Sequence, residues 1–321
     1  MKDMRGEKIF VGLSGGVDSA VSAALLQRAG AEVTGVFIKG WYPPGMPCTW
    51  AAERRDAMRV AARLHIPFHT LDASAEYKKS VIDYLISEYR AGRTPNPDVM
   101  CNREVKFGAF YRYAMEQGAD AIATGHYRAG EKDQSYFLWA VPKDILDATI
   151  FPVGEMEKSD VRALAEKFDL PVAKKRDSQG VCFLGSVSIE EFLSAEFGTD
   201  NPALLYTLGQ RISLEGLPSE ASAKEGPWYV VGKDVEKKEL KVSRSRRQEA
   251  VSEIKFKDAN WFDEPILVTE AQYRYRGPRI RGHVAGDLFA SSEPLPEIPT
   301  PGQSIVFYQD DELVGGGIIA G

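Results

Sequence analysis

The chain has 321 residues, 44% of them hydrophobic and 27% charged, with a net charge of −6; these are the proportions of a globular protein long enough for two or three domains. No apolar run nears the roughly 18–20 residues that a membrane-crossing helix needs, and the opening MKDMRGEKIF carries no secretory core, so a cytoplasmic protein without a membrane partner is expected. Three scattered cysteines, Cys48, Cys101 and Cys182, exclude a disulfide scaffold and a CxxC-type zinc centre, and no metal site is expected from them.

The first half alternates short apolar runs with helical patterns. KIFVGL (8–13), AEVTGVFIK (31–39), IPFHTLDA (66–73) and ADAIATGH (119–126) read as strands. Asp18–Arg28, Ala51–Leu64, Tyr77–Tyr89, Glu104–Gln117, Lys158–Phe168 and Ile189–Phe197 read as helices. Ala57, Val60, Ala61 and Leu64 recur at helical spacing on one face of the second of these. Strands alternating with helices of 10–15 residues imply an α/β domain with a parallel sheet covered on both faces. After about residue 200 the pattern turns all-β. PWYVVGKDVEKKELKVSRS, ILVTEAQYRYR, RGHVAGDLFAS and QSIVFYQDDELVGGGIIAG are short strands punctuated by Gly and Pro, as in one or two small barrels. Residues 233–281 hold thirteen Lys/Arg against nine Asp/Glu, including Arg244, Arg246, Arg247, Arg274, Arg276, Arg279 and Arg281. Such a local surplus fits either charged strand edges or a stripe for nucleic acid.

GLSGGVDS (12–19) lies between the first strand and the first helix. Gly15 and Gly16 permit positive φ and close backbone approach, so successive N–H groups can face a phosphate, and the helix that follows adds its positive end. Ser14 and Ser19 bring hydroxyl donors, and Asp18 can hold magnesium. No lysine follows the glycines, which excludes the GxxxxGK[ST] loop.

Cys101 and Cys182 both sit in polar stretches containing Gly or Pro rather than in apolar strands. Cys101 precedes Arg103 and Lys106 and stands where a helix is expected to begin, near Asn102. Cys182 follows Lys174, Lys175 and Arg176. Cationic neighbours and a helix N-terminus favour the thiolate, which is the nucleophile, and a second thiolate can resolve a sulfur–sulfur intermediate. Cys48 is assigned no role.

With SGGVDS in this context the sequence resembles the PP-loop ATP pyrophosphatases. GVFIKGW (35–41), RTPNPDVMCNREVKFG (93–108), ATGHY (123–127), KDQSYFL (132–138), DSQGVCFLG (177–185), LYTLGQR (205–211), PWYVV (227–231), RYRG (274–277) and PGQSIVFY (301–308) follow the order of the bacterial tRNA-specific 2-thiouridylases. The resemblance runs from about residue 8 to the C-terminus. It implies ATP-dependent adenylation of the C2 oxygen of a wobble uridine in tRNA, then sulfur transfer from a cysteine persulfide with release of AMP and pyrophosphate. It implies that Gly12, Leu13, Ser14, Gly15, Gly16, Val17, Asp18, Ser19, Ile38 and Gly125 bind ATP with transient magnesium. Cys182 would carry the persulfide, delivered by a sulfur-carrier protein or cysteine desulfurase, and Cys101 would be the partner thiol that forms a transient disulfide. Asn96, Pro97 and Asp98 would face the target base, which must leave its stack. His126, Lys132, Asp133, Gln134, Arg274, Tyr275 and Gln303 would contact tRNA.

The expected domains are a PP-loop ATP-binding catalytic domain over 1–200, a shortened central β domain over 201–250, and a tRNA-contacting C-terminal β-barrel over 251–321. Three departures from the family pattern stand out. Only SVSIEEFLSAEFGTDNPAL separates GVCFLG from LYTLGQR, RAGE replaces a longer loop after ATGHY, and ISLEGLPSEAS replaces a glycine-rich continuation after GQR. Ile38 stands where the family usually has methionine. Two other readings fit parts of the chain: a different PP-loop ligase or amidotransferase, which needs no pair of reactive cysteines, and a non-catalytic nucleotide- and RNA-binding homologue.

Overall fold

Strand β1 (Lys8–Gly12) buries Ile9, Phe10 and Val11 in succession, the pattern of a strand inside a parallel sheet. It pairs in parallel with β2 (Glu32–Lys39), Ile9 opposite Val33. The computed structural model describes residues 3–43, 50–176, 188–198, 200–212, 227–245, 251–263 and 267–320. Cys48, Cys182, Arg246 and Arg247 lie outside the described residues, as does the whole of DSQGVCFLG. Two compact units cluster separately: Met1–Ile82 with Asp98–Ser188, and Asp83–Pro97 with Ile189–Gly321.

In the first unit, β3 (Phe68–Asp72) follows helices α1 (Val17–Arg28) and α2 (Trp50–Leu64) and pairs with β2. The chain then forms α3 (Ser74–Tyr77), a π-helical turn Lys78–Ile82 and, entering the second unit, α4 (Asp83–Arg90). It returns through α5 (Pro97–Cys101), a π-helical stretch Asn102–Ala109 and α6 (Phe110–Glu116) to β4 (Ala121–Ala123), then α7 (Lys143–Asp147), β5 (Thr149–Ile150) and α8 (Lys158–Lys167). The sheet order is β3-β2-β1-β4-β5, all parallel. β1 is therefore flanked by β2 and β4, and the order reverses there. Crevices at the carboxyl ends of strands at such a reversal are where open α/β sheets take ligands.

Helix α1 buries Val17, Ala20, Val21, Ala23, Ala24 and Leu26, so small residues dominate its contact surface. Val161 and Ala165 of α8, and Ala57, Val60 and Ala61 of α2, join the same core, and the α2 residues are the stripe read from the sequence.

The second unit adds α9 (Ile189–Phe197), α10 (Pro202–Leu205) and a three-stranded sheet of β6 (Arg211–Ile212), β7 (Trp228–Asp234) and β8 (Glu239–Ser243). A closed barrel follows in the order β10-β11-β12-β9-β14-β13. Its strands are β9 (Glu253–Trp261), β10 (Glu270–Gln272), β11 (Ile280–Ala285), β12 (Leu288–Ser291), β13 (Ser304–Gln309) and β14 (Glu312–Ile319). Closure leaves no free edge. Phe256, Trp261, Phe289 and Phe307 fill the interior, the Trp261 and Phe307 rings stacking at 4.9 Å with 15° between planes. Among the described residues no helix is long and apolar enough to cross a membrane.

Two local expectations are corrected, and one strand is added. The helix expected from Glu104 begins at Pro97, because a proline at the first helical position lacks only an N–H that would be unpaired there anyway. The strand expected over 119–126 is confined to Ala121–Ala123. β9, which the sequence reading did not single out, closes the barrel by pairing with both β12 and β14. Phe307 is fully buried among three aromatic rings. Replacing it with alanine is expected to destabilise the barrel by about 3–5 kcal/mol, read as a lower denaturant midpoint of the barrel's tryptophan fluorescence transition.

Candidate functional site

The loop Leu13–Gly16 follows β1 at the sheet's order reversal. Gly15 adopts φ +75°, and a Cβ there would lie 2.4 Å from the Glu53 carbonyl oxygen, so neither the dihedral nor the space admits a side chain. Gly16 occupies the N-cap of α1 and offers no side-chain cap. The first-turn N–H groups of this 12-residue helix thus meet no capping side chain, which leaves them aimed at an incoming anion. Ser14 and Ser19 brace the turn. The Ser14 N–H donates to Ser19 Oγ at 3.3 Å, the two hydroxyls lie 3.3 Å apart, and the Gly16 N–H donates to Ser14 Oγ at 3.3 Å.

β4 brings Gly125 against this turn. A Cβ on Gly125 would lie 2.7 Å from the Ser19 nitrogen and 2.9 Å from the Asp18 carbonyl carbon, so two backbones meet without a side chain between them. Gly12 lies at the end of β1, Leu13 is buried and donates its N–H to Val36, and Ile38 sits half-buried in β2. Val17 and Ser19 are buried in the first turn of α1.

Asp18 places a carboxylate beside the same turn. The Tyr127 hydroxyl donates to its Oδ1 at 2.7 Å, and the Lys158 ammonium, from the first residue of α8, does so at 2.6 Å. These partners offset a negative charge that would otherwise oppose a phosphate. Lys175 reaches the loop from another direction, donating to the Gly15 carbonyl at 3.0 Å and to Asp56 Oδ2 at 2.7 Å. The sequence reading gave Tyr127, Lys158, Lys175 and Asp56 no part in this loop. No local signal marks them, since Lys158 and Lys175 stand 140 and 160 residues from the loop atoms they bond.

Cys101 is 2% exposed. It ends α5 and runs directly into the π-helical stretch, so it lies within a helix rather than at its N-terminus as expected, and the dipole contribution anticipated there is reduced. Arg103 pairs with Glu104 at 2.6 Å. The adjacent Asn102 is 2% exposed and donates Nδ2 to the Phe137 carbonyl at 3.1 Å, while its Oδ1 has no partner among the described residues. Asp98 is half-buried. His126 bonds Thr124 Oγ1 through Nδ1 at 2.9 Å, and its ring centroid lies 5.2 Å from that of Phe107. Burial, aided by the Lys106 charge, brings its pKa down to about 3, so the imidazole is neutral at physiological pH. Gln134 is bonded twice to Tyr127: its Oε1 accepts the Tyr127 N–H at 3.1 Å, and its own N–H donates to the Tyr127 carbonyl at 3.0 Å. Asp133 Oδ1 accepts the Ser135 N–H at 2.8 Å, and Lys132 is exposed.

In the second unit, Asn96 is half-buried and Pro97 buried. Arg274 Nε lies 2.8 Å from Glu297 Oε2, and its Nη2 lies 3.3 Å from Thr300 Oγ1. Tyr275 is 38% exposed beneath the Arg276 guanidinium, 5.3 Å from the ring centroid. Gln303 donates Nε2 to the carbonyls of Thr94 and Pro95. Arg274 therefore bonds the Glu297–Thr300 segment and Gln303 the Thr94–Pro95 backbone, each with partners inside the protein.

Residues 7–186 match the family described as tRNA methyl transferase HUP domain, and residues 251–319 match the aminomethyltransferase beta-barrel domain. The tRNA-specific 2-thiouridylase MnmA of Streptococcus thermophilus is 38% identical over 365 residues, covering 99% of this chain and 96% of that protein. The protein of the same name from Streptococcus mutans matches to the same extent. The alignments exceed the length of this chain, so the relatives carry segments that it lacks. Among solved structures, NMN synthetase from Francisella tularensis superposes with a TM-score of 0.41 at 19% identity, over 59% of this chain and 73% of that one. With two domain families matched in order and near-complete relatives at this identity, the chain belongs to the tRNA-specific 2-thiouridylase family.

Proposed function

We propose that this protein thiolates C2 of the wobble uridine in tRNA, using ATP to activate the uracil oxygen and a cysteine persulfide as the sulfur source. The observation that carries the reading is the left-handed Gly15 turn under the uncapped start of α1, closed by Gly125 and charge-balanced around Asp18, in a chain whose relatives bear the name 2-thiouridylase.

The residues divide the work as follows. Gly12–Ser19 holds the polyphosphate by backbone N–H groups and the Ser14 and Ser19 hydroxyls. Lys158, 2.6 Å from Asp18, adds positive charge where pyrophosphate develops as a leaving group. Magnesium carried by a nucleotide takes one or two protein carboxylates and completes its shell with phosphates and water. Asp18 would suit that task, and the ion it held would screen charge on the phosphates. Ile38 and Gly125 line the nucleotide position. Attack of the uracil O2 on the α-phosphorus forms one P–O bond and breaks another, converting a poor leaving group into AMP. Cys182, supplied with persulfide by a carrier protein or desulfurase, delivers the terminal sulfur to C2. Cys101 attacks the remaining sulfur, so that the electron pair of the broken S–S bond leaves with the transferred sulfur and a Cys101–Cys182 disulfide remains. Asn96, Pro97 and Asp98 receive the extruded base. Lys132, Asp133, Arg274 and Tyr275 meet tRNA, and a neutral His126 serves as a hydrogen-bonding rather than a charge-pairing contact. Gln134 and Gln303 keep their internal bonds and offer their remaining amide atoms.

Incubation of the purified protein with unmodified tRNA, ATP, magnesium and a sulfide source, followed by nucleoside mass spectrometry, tests the reading, and failure to form 2-thiouridine with AMP overturns it. Gly125→Ala should lower tRNA-dependent AMP formation on the order of 100-fold, since its Cβ must displace the Ser19 backbone and misplacement by about 1 Å costs that much. Cys101→Ser and Cys182→Ser should abolish 2-thiouridine while leaving tRNA-dependent pyrophosphate release measurable; full thiolation by both variants would instead favour a different PP-loop ligase chemistry. The His126 pKa of about 3 lies below its unfolded value of about 6.5, so the unfolded chain takes up that proton first. The imidazole leaves stability untouched above about pH 6.5 and subtracts from it as pH falls toward 3. Its NMR signal should stay that of a neutral ring down to about pH 4, and His126→Gln should show a shallower loss of unfolding midpoint between pH 6.5 and 4 than the parent protein.

A further inference from the structure

The stretch Asp83–Pro97 clusters with the barrel in one compact unit, although it lies inside the first unit in sequence. Three contacts tie it to the barrel loop Pro301–Gln303. The Thr94 N–H donates to the Pro301 carbonyl at 2.8 Å. Gln303 Nε2 donates to the carbonyls of Thr94 at 2.8 Å and Pro95 at 3.2 Å. Between them, Gly302 takes φ +90°, and a Cβ there would lie 3.0 Å from the Thr94 nitrogen, carbonyl carbon and oxygen. Thr94 is 5% exposed, so its backbone groups need partners in the protein, and the prolines beside it leave few local ones. One residue upstream, the Arg93 guanidinium holds Glu88 in a two-bond pair at 2.6 and 2.5 Å, and the Arg93 N–H donates to the Glu88 carbonyl at 2.9 Å. Bidentate pairs of this kind fix orientation as well as position. Residues 93–95 are thus held from both flanks, and the chain leaves them through Asn96 into a proline whose φ is fixed by its ring.

We propose that the loop Pro301–Gln303 positions the segment Asn96-Pro97 for the target base, with Gln303 and Gly302 as positioning residues. The role rests on the base-facing assignment made above for Asn96 and Pro97. The loop pairs with one stretch of backbone and excludes any side chain between the two, so that the lip receiving the uracil is set by the barrel as well as by its own prolines. Preorganisation of this kind acts on the chemical step more than on nucleotide affinity.

Amide hydrogen exchange of Thr94, read with thiolation kinetics, tests the assignment on the full chain. Gln303→Met, which keeps length but removes the donors, and Gly302→Ala, which touches no side chain of the clamp, should each raise Thr94 exchange at least tenfold. Each should also lower kcat for 2-thiouridine formation at saturating tRNA at least tenfold, with KM for ATP changed less than twofold. Gln303→Lys, which restores donors to the two carbonyls, should recover most of both losses. Unchanged Thr94 exchange in Gln303→Met and Gly302→Ala overturns the clamp, and raised exchange with unchanged kcat overturns its positioning role. Parent protein that forms no 2-thiouridine overturns the functional reading and the positioning role with it; Thr94 exchange, which needs no substrate, separates that case from failure of the clamp alone.

Discussion

The proposed nucleotide site of the first unit is built around one close approach, that of the Gly125 backbone to the first turn of α1. With a Cβ at Gly125 the nearest contact would be the Ser19 nitrogen at 2.7 Å, well inside van der Waals distance. The parallel pairing of β1 with β4, Val11 opposite Ala123, delivers Gly125 to that spot, and the order reversal at β1 opens the crevice above it. Sheet topology and loop chemistry are one constraint here: a helix start able to receive an anion is useful only where neighbouring strands leave room for one.

Charge balance is the second layer. An anion-binding turn that includes a carboxylate works against itself unless that carboxylate is neutralised. The Lys158 ammonium and the Tyr127 hydroxyl both meet Asp18 Oδ1, while Lys175 meets the carbonyl of the left-handed Gly15. Because Lys158 is only 17% exposed and Asp18 30%, the pair is screened less than a surface ion pair, and its orientation is correspondingly persistent.

Much of this was legible in the sequence where the information is contiguous. SGGVDS announces its turn because glycine, hydroxyl and acid follow one another, and the Ala57–Val60–Ala61 stripe of α2 reads directly as a buried face. The alternation of Ile254 and Phe256 with Glu253, Lys255 and Lys257 in β9 carries an equally plain period-2 signal. What could not be read is long-range. Lys158, Lys175 and Gln303 find their partners 119 residues or more away, and nothing in their neighbourhoods announces those pairings. The start of the Cys101 helix was missed for a local reason: Thr94-Pro95-Asn96-Pro97 reads as an extended turn, yet its second proline is the first residue of a helix.

The clamp on Thr94 has a consequence for how the chain is made. Gln303 lies 209 residues beyond the carbonyl it holds, whereas the loop, β2 and Gly125 all lie within the first 125 residues. During synthesis at about 5–20 residues per second, the phosphate-facing turn can therefore assemble roughly ten seconds or more before the partner of Thr94 exists. On the proposed function, the chain has the backbone of its phosphate-facing turn before it has a fixed place for a base. Closing so long a loop is slow as well as late, so the hold on Thr94 forms only once the barrel is complete.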